Sequence, residues 1–134
     1  MHQPIMPDSM PRPAARYAHA TLVTNPARWL HTAGQVGIDS DGNVPDGVAA
    51  QAKVIWHNIA ALLAAADMSA DDIVSITTYV VASAMEDGLA EAMAERDTFM
   101  SGRLVASTLL TVPALVRPEW LIEIVVVAAD QKAA

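Results

Sequence analysis

Apolar side chains recur along this chain with two distinct periods. From Val48 to Asp67 they fall at Val48, Ala52, Ile55, Trp56, Ile59, Leu62, Leu63 and Ala66. The i, i+3, i+4, i+7 spacing predicts an amphipathic helix, with Gln51, Lys53, His57 and Asn58 on its other side. Met85 to Met100 predicts a second helix, opened by Glu86 and Asp87 and closed at Ser101-Gly102. Elsewhere the pattern is that of strands. Tyr17–Thr24 and Arg28–Val36 flank the Asn25-Pro26 turn and read as a hairpin. Ile73–Ala82, Arg103–Val112 and Glu119–Ala129 are β-branched and aliphatic. Ser69 and Asp72 have the spacing of a capping box, but the β-branched run that follows predicts a turn there. Between Gly37 and Gly47 turn-forming residues dominate and predict the one strong loop.

The order β-β-α-β-α-β-β predicts an α+β fold with both helices on one sheet face. The strands are nevertheless apolar on both faces. In the last one Leu121, Val125 and Val127 share one parity, and Ile122, Ile124 and Val126 share the other. Only one face can meet the helices, so another subunit is the simplest cover for the second.

Composition agrees with that expectation. Of 134 residues, 53% are hydrophobic and 17% charged, below the usual quarter or so. The length fits one domain, expected over residues 16–130, and the apolar content excludes a disordered chain. Residues 1–15, with Pro4, Pro7, Pro11 and Pro13, predict a flexible arm, and 131–134 a short tail. There is no cysteine, hence no disulfide framework or thiol nucleophile. A net charge of −7 repels phosphate backbones and argues against nucleic-acid partners. The longest uncharged apolar run, Leu104 to Val116, has 13 residues and is short of the about 20 that span a bilayer. The Pro-rich start lacks the apolar core of a signal peptide, so a cytoplasmic protein without membrane partners is expected.

The sharpest chemical feature is Glu123, an acid inside a run of Ile, Val and Ala. An ionised carboxylate there is costly unless paired or wet. It is either a cleft carboxylate that holds water and exchanges protons, or a structural ion pair or edge residue reaching solvent. The four histidines, His2, His19, His31 and His57, lack ligand spacing, and neither metal nor cofactor is expected. Gly34-Gln35-Val36-Gly37 lacks the lysine and spacing of a phosphate loop and reads as a strand end where backbone approaches something closely. No serine lies in a G-x-S-x-G context. Arg16, Arg103 and Arg117 flank strand ends, where each is either an exposed charge or a partner for Glu123 or an anionic ligand.

Taken in order, several motifs give the chain a family likeness. They are Tyr17, Thr32-Ala33-Gly34-Gln35-Val36-Gly37, Gly42-Asn43-Val44-Pro45, the Ala-rich helix with Asn58, Asp72-Ile73-Val74 and Pro118-Glu119-Trp120-Leu121-Ile122-Glu123-Ile124. From about Tyr17 to Ala129 the chain resembles the Rid/YjgF family of reactive-intermediate deaminases, related in fold to one class of chorismate mutase. The resemblance implies a barrel-forming homotrimer with helices outside and three clefts between subunits. It also implies hydrolysis of enamines and imines to a keto acid and ammonia, as by a 2-iminobutanoate/2-iminopropanoate deaminase. Glu123 matches the family's water-holding glutamate, Tyr17 its pocket tyrosine and Gly34 its cleft glycine.

One position departs from the family. Where it has A-R-S, this chain has Val105-Ala106-Ser107. Ala106 cannot replace a bidentate guanidinium, and losing such a pair typically costs about 2–5 kcal/mol of binding. Ala33 replaces a frequent serine. The expected pocket is therefore more apolar, with Ala33, Ala106, Leu109 and Trp120 as lining and backbone amides near Gly34 and Ser107 as donors. The resemblance implies a divergent deaminase with altered specificity. The missing arginine also suits a non-catalytic small-molecule-binding or regulatory trimer. Ribonuclease activity, associated with some relatives, is disfavoured by the charge and the lack of a basic stripe.

Overall fold

The structure is a computed structural model and describes residues 1–133. Nine main elements follow in order: β1 (His2–Ile5), β2 (Ala20–Val23), β3 (Arg28–His31), β4 (Gln35–Val36), α1 (Val48–Ala65), β5 (Ile73–Val81), α2 (Leu89–Met100), β6 (Ala106–Val112) and β7 (Ile122–Asp130). Short 3-10 turns at Ala70–Asp72 and Ala82–Ala84 flank β5. The main sheet runs β3-β7-β5-β6, with β4 also on β7. Its pairs are antiparallel except β5–β6. β4 and β5 thus flank β7 in the same direction, with α1 crossing between them, and α2 makes the crossover from β5 to β6. Both helices lie on one face, as the element order implies.

The core fills the space between the helices and that face. Ile55, Ile59 and Leu63 of α1 meet Ile122, Ile124, Val126 and Ala128 of β7 and Ile76 and Val80 of β5, all buried. Ile73 and Ile76 both point inward although three residues apart, because a register shift between Ile73 and Ser75 inserts an extra residue. Trp56 of α1 stacks on Phe99 of α2 with ring centroids 4.7 Å apart. α1 is long and apolar enough to cross a membrane by composition alone. Its packed face makes it a core helix.

Several sequence expectations require correction. Tyr17–Thr24 and Arg28–Val36 do not pair as a hairpin. β2 instead pairs antiparallel with β1, from the Pro-rich arm, with His2 opposite Val23 and Ile5 opposite Ala20. The arm is therefore anchored as an edge ribbon, where Pro4 needs no ladder donor. The expected strand Arg28–Val36 is broken at residues 32–34 into β3 and β4. The capping box is formed after all. Ser69 Oγ accepts from Asp71 N at 3.2 Å and Asp72 Oδ2 accepts from Ser69 N at 2.9 Å, around a single 3-10 turn. α2 begins at Leu89 rather than Met85, because Ala82–Ala84 form a separate turn. Of the tail 131–134, residue 134 lies outside the described residues.

Candidate functional site

Glu123 occupies the sheet face that the helices leave open. In register it stands opposite Val36 of β4 on one side and Tyr79 of β5 on the other. Its parity is that of half-buried Val125 and Val127, while Ile122, Ile124 and Val126 turn into the core. It is the one acidic side chain that β5, β6 and β7 place on the open face, because Asp130 has the opposite parity. Half exposed, it has no salt-bridge partner among the described residues.

The chain beside Glu123 is shaped to leave room for the carboxylate. Thr32 N donates to Val126 O at 3.1 Å, and Thr32 Oγ1 accepts from Val126 N at 3.1 Å. A hydroxyl thereby takes the place of a ladder carbonyl, and the backbone leaves the sheet until Gln35. Ala33 and Gly34 stand exposed on this break. A Cβ added to Gly34 would overlap Glu123 Oε2 and lie 2.7 Å from its Cδ. Any larger residue there would oblige the carboxylate to move aside. Gly37, three residues on, is required for another reason: its Cβ would meet Gln51 Cα at 2.9 Å.

Gln51 was assigned by periodicity to the polar side of α1, yet it is 1% exposed. Its Nε2 donates to Pro45 O at 3.0 Å and Glu119 O at 2.9 Å, and its Oε1 accepts from Leu121 N at 2.9 Å. Gln51 fixes the approach to β7 and hence the height of Glu123. No local pattern could reveal this, since its partners lie far along the chain. Tyr79 was also missed. Its signal was strand parity with Ser75 and Thr77, which places it beside Glu123.

A second group gathers at the start of β6. Ala18 bridges to Ala106 in parallel, Ala18 N donates to Val105 O at 2.9 Å, and Ala106 N donates to Thr21 Oγ1 at 2.8 Å. Tyr17 therefore lies at this end, with its ring edge-to-face on His19. Ala106 is opposite Ser75, four residues along β5 from Tyr79. At about 3.3 Å per residue and about 5 Å per strand, Ala106 and Glu123 of one protomer are separated by about 13 Å along the strands and about 10 Å across them. The residues expected to share one pocket fall into two groups on one chain.

The remaining expected positions lie elsewhere. Ser107 and Leu109 have the parity of the helix side, and Ser107 Oγ lies 3.4 Å from Arg96 Nη1 of α2. Trp120 precedes β7, with the Arg117 guanidinium 5.7 Å from its ring centroid. Its buried Nε1 has no hydrogen-bond partner among the described residues. Arg103 is committed to Ala70 O and faces Asp71 at 3.9 Å, so it does not stand in for an arginine at 106.

Residues 8–130 match the family model described as Endoribonuclease L-PSP. The chain belongs to the Rid family. Among solved structures, a Rid-family protein of unknown function from Yersinia pestis, YyfB, is 32% identical, covers 96% of this chain and 98% of its own, and superposes with a TM-score of 0.83. RidA from an Antarctic Psychrobacter is 25% identical over 96% of this chain and 99% of its own, with a TM-score of 0.69. Escherichia coli TdcF, solved with bound serine, shares the fold at 20% identity and a TM-score of 0.68, over 96% of this chain and 98% of that one. A search of curated proteins finds no match. As a Rid protein the chain has the family's α+β architecture, with Glu123 placed on the open face of its sheet.

Proposed function

We propose that this Rid protein hydrolyses the C=N bond of small imines or enamines in clefts between copies of the chain. The observation that carries the reading is the division of the site residues. Glu123 with Gly34 lies at one place and Tyr17 with Ala106 at another, too far apart to act on one small molecule within a protomer. Packing of open faces around an axis, as in a trimer, brings the Glu123 group of one copy towards the Tyr17 group of the next. It also covers the apolar residues that the helices do not reach.

In such a cleft Glu123 orients a water and accepts its proton as the oxygen attacks the imine carbon. That proton passes to the nitrogen to give the carbinolamine, whose hydroxyl then gives up a second proton, through Glu123, to the same nitrogen. The C–N bond then breaks, ammonia leaves, and the carbonyl product forms with no cofactor consumed. Ala106 offers only a methyl where a carboxylate anchor would stand, so the preferred substrates differ from the smallest 2-imino acids. Incubation with imines generated by an amino-acid oxidase tests the reading. Imine loss and ammonia release should exceed the buffer rate across at least one of aliphatic, aromatic or uncharged imines, and Glu123→Gln should return them to it. Buffer rates for every class would refute hydrolysis.

The absence of an arginine at 106 specifically favours a second reading, a non-catalytic binding trimer. Metabolites that raise the melting temperature without being turned over would select it, because a ligand bound only to the native state stabilises that state. Ribonuclease activity gains no support from a net charge of −7.

A further inference from the structure

The Pro-rich arm and the start of the domain border an open cavity of about 420 Å³ whose walls include Met6, Met10, Tyr17 and Leu104, together with the exposed Asp8 and Arg12. The arm is fixed on both sides of this space. β1 pairs with β2 before it. After it, His19 Nε2 donates to Pro11 O at 2.7 Å. A turn between, with Met10 N donating to Pro7 O at 3.0 Å, sets the wall carrying Asp8.

We infer that this cavity binds a monocarboxylate with an apolar body, held through Arg12. Arg12 is the one cationic side chain among the described lining residues. A guanidinium recognises a carboxylate with two parallel hydrogen bonds, which a lone ammonium does not. Arg12 and Asp8 make no salt bridge with each other among the described residues, so the guanidinium is not consumed within the wall. The two methionines, Leu104 and the Tyr17 ring supply the apolar contact, and thioether side chains adapt to irregular ligand shapes. Asp8 adds a charge that repels a second anionic group. The cavity therefore discriminates against dicarboxylates and phosphate. The inference rests on the proposed cleft only in that Tyr17 belongs to both. An acid held by Arg12 has its body against Tyr17.

Titration of the full chain with phenylacetate, followed by ligand-observed NMR or calorimetry, tests this directly. Phenylacetate should bind saturably, whereas phenylacetamide, succinate and inorganic phosphate should bind at least tenfold more weakly. Arg12→Gln should weaken phenylacetate binding at least tenfold with an unchanged melting temperature, Arg12→Lys should recover part of it, and Asp8→Asn should narrow the gap to succinate. The inference is overturned if wild-type protein shows no saturable phenylacetate binding, or if Arg12→Gln binds as wild type does. Binding is read without turnover, so this result and the imine assay fail independently.

Discussion

The two faces of the main sheet are made by the same strands and do different things. On the covered face Ile122, Ile124, Val126 and Ala128 are 0–1% exposed against α1. On the open face Glu123, Val125 and Val127 of the same strand are only half-buried, beside Tyr79 and Thr77. Leu110, in register with Tyr79, is 37% exposed, and Trp29, in register with Ala129, is 51% exposed. Along β5 and β7 the covered face is packed within one protomer, although Leu109 of edge strand β6, with the same parity, is 45% exposed. The open face carries the candidate chemistry and several partly exposed apolar side chains. A strand apolar on both sides, with one acid on the side away from the helices, thus reports the fold and a candidate site in the same nine residues.

The contrast can be broken most severely at adjacent positions of β7. Ile124→Ala should cost about 2–5 kcal/mol, from lost burial and the cavity left behind, read as a lower urea midpoint. Val125→Asp should instead preserve the far-UV circular dichroism of the protomer and reduce the mass seen by light scattering to that of one chain. An unchanged mass would remove the open face from any interface. The two glycines sharpen the same point at smaller amplitude. Gly37→Ala meets the backbone of α1 at Gln51 and should cost about 1–3 kcal/mol. Gly34→Ala meets only the flexible end of Glu123, so stability should change by less than about 0.5 kcal/mol. Any imine hydrolysis should nevertheless fall at least tenfold, because the carboxylate must move. Equal thermal shifts for the two variants would show that Gly34 is structural in the way Gly37 is.

What the sequence disclosed divides along the same line. Helix α1, the alternation of β7 and the isolation of Glu123 follow from spacing within a few residues, and all are present in the fold. Gly34 was legible as a close approach, though what approaches it was not. Features that depend on distant partners were not legible. β2 takes β1 rather than β3 because a Pro-containing arm can still form an edge, and nothing near Asn25-Pro26 excludes the local hairpin. Thr32 interrupts the ladder by offering its hydroxyl to Val126, 94 residues away. Gln51 looks like a solvent-facing polar residue until Glu119 O, 68 residues on, is seen to accept its hydrogen bond. The division of the site escaped for a related reason: motif order places residues along a chain, whereas strand register decides which of them meet.

The smallest expected effect concerns the rim of the covered face, where Arg28 and Asp130 close the end of β3 and β7. Arg28 Nε donates to Asp130 Oδ1 at 2.9 Å, its Nη2 pairs with Asp130 Oδ2, and its Nη1 donates to Ala66 O at 2.9 Å, just beyond α1. The hydrogen bonds from Arg28 hold the Asp130 carboxyl below its ordinary value of 3.8, aided by Lys132 N and opposed by burial. The Arg28 guanidinium is correspondingly raised and stays charged. A carboxyl whose pKa is depressed on folding contributes stability that is present above 3.8 and lost as pH falls through the lower folded value. The urea midpoint of wild-type protein should therefore decline more steeply below about pH 4 than that of Asp130→Asn, which lacks this titration. Parallel acid limbs for the two proteins would mean that the pair orders the rim without stabilising it. The light-scattering mass should be the same for both at neutral pH, because Asp130 has the parity of the covered face and Glu123 that of the open one.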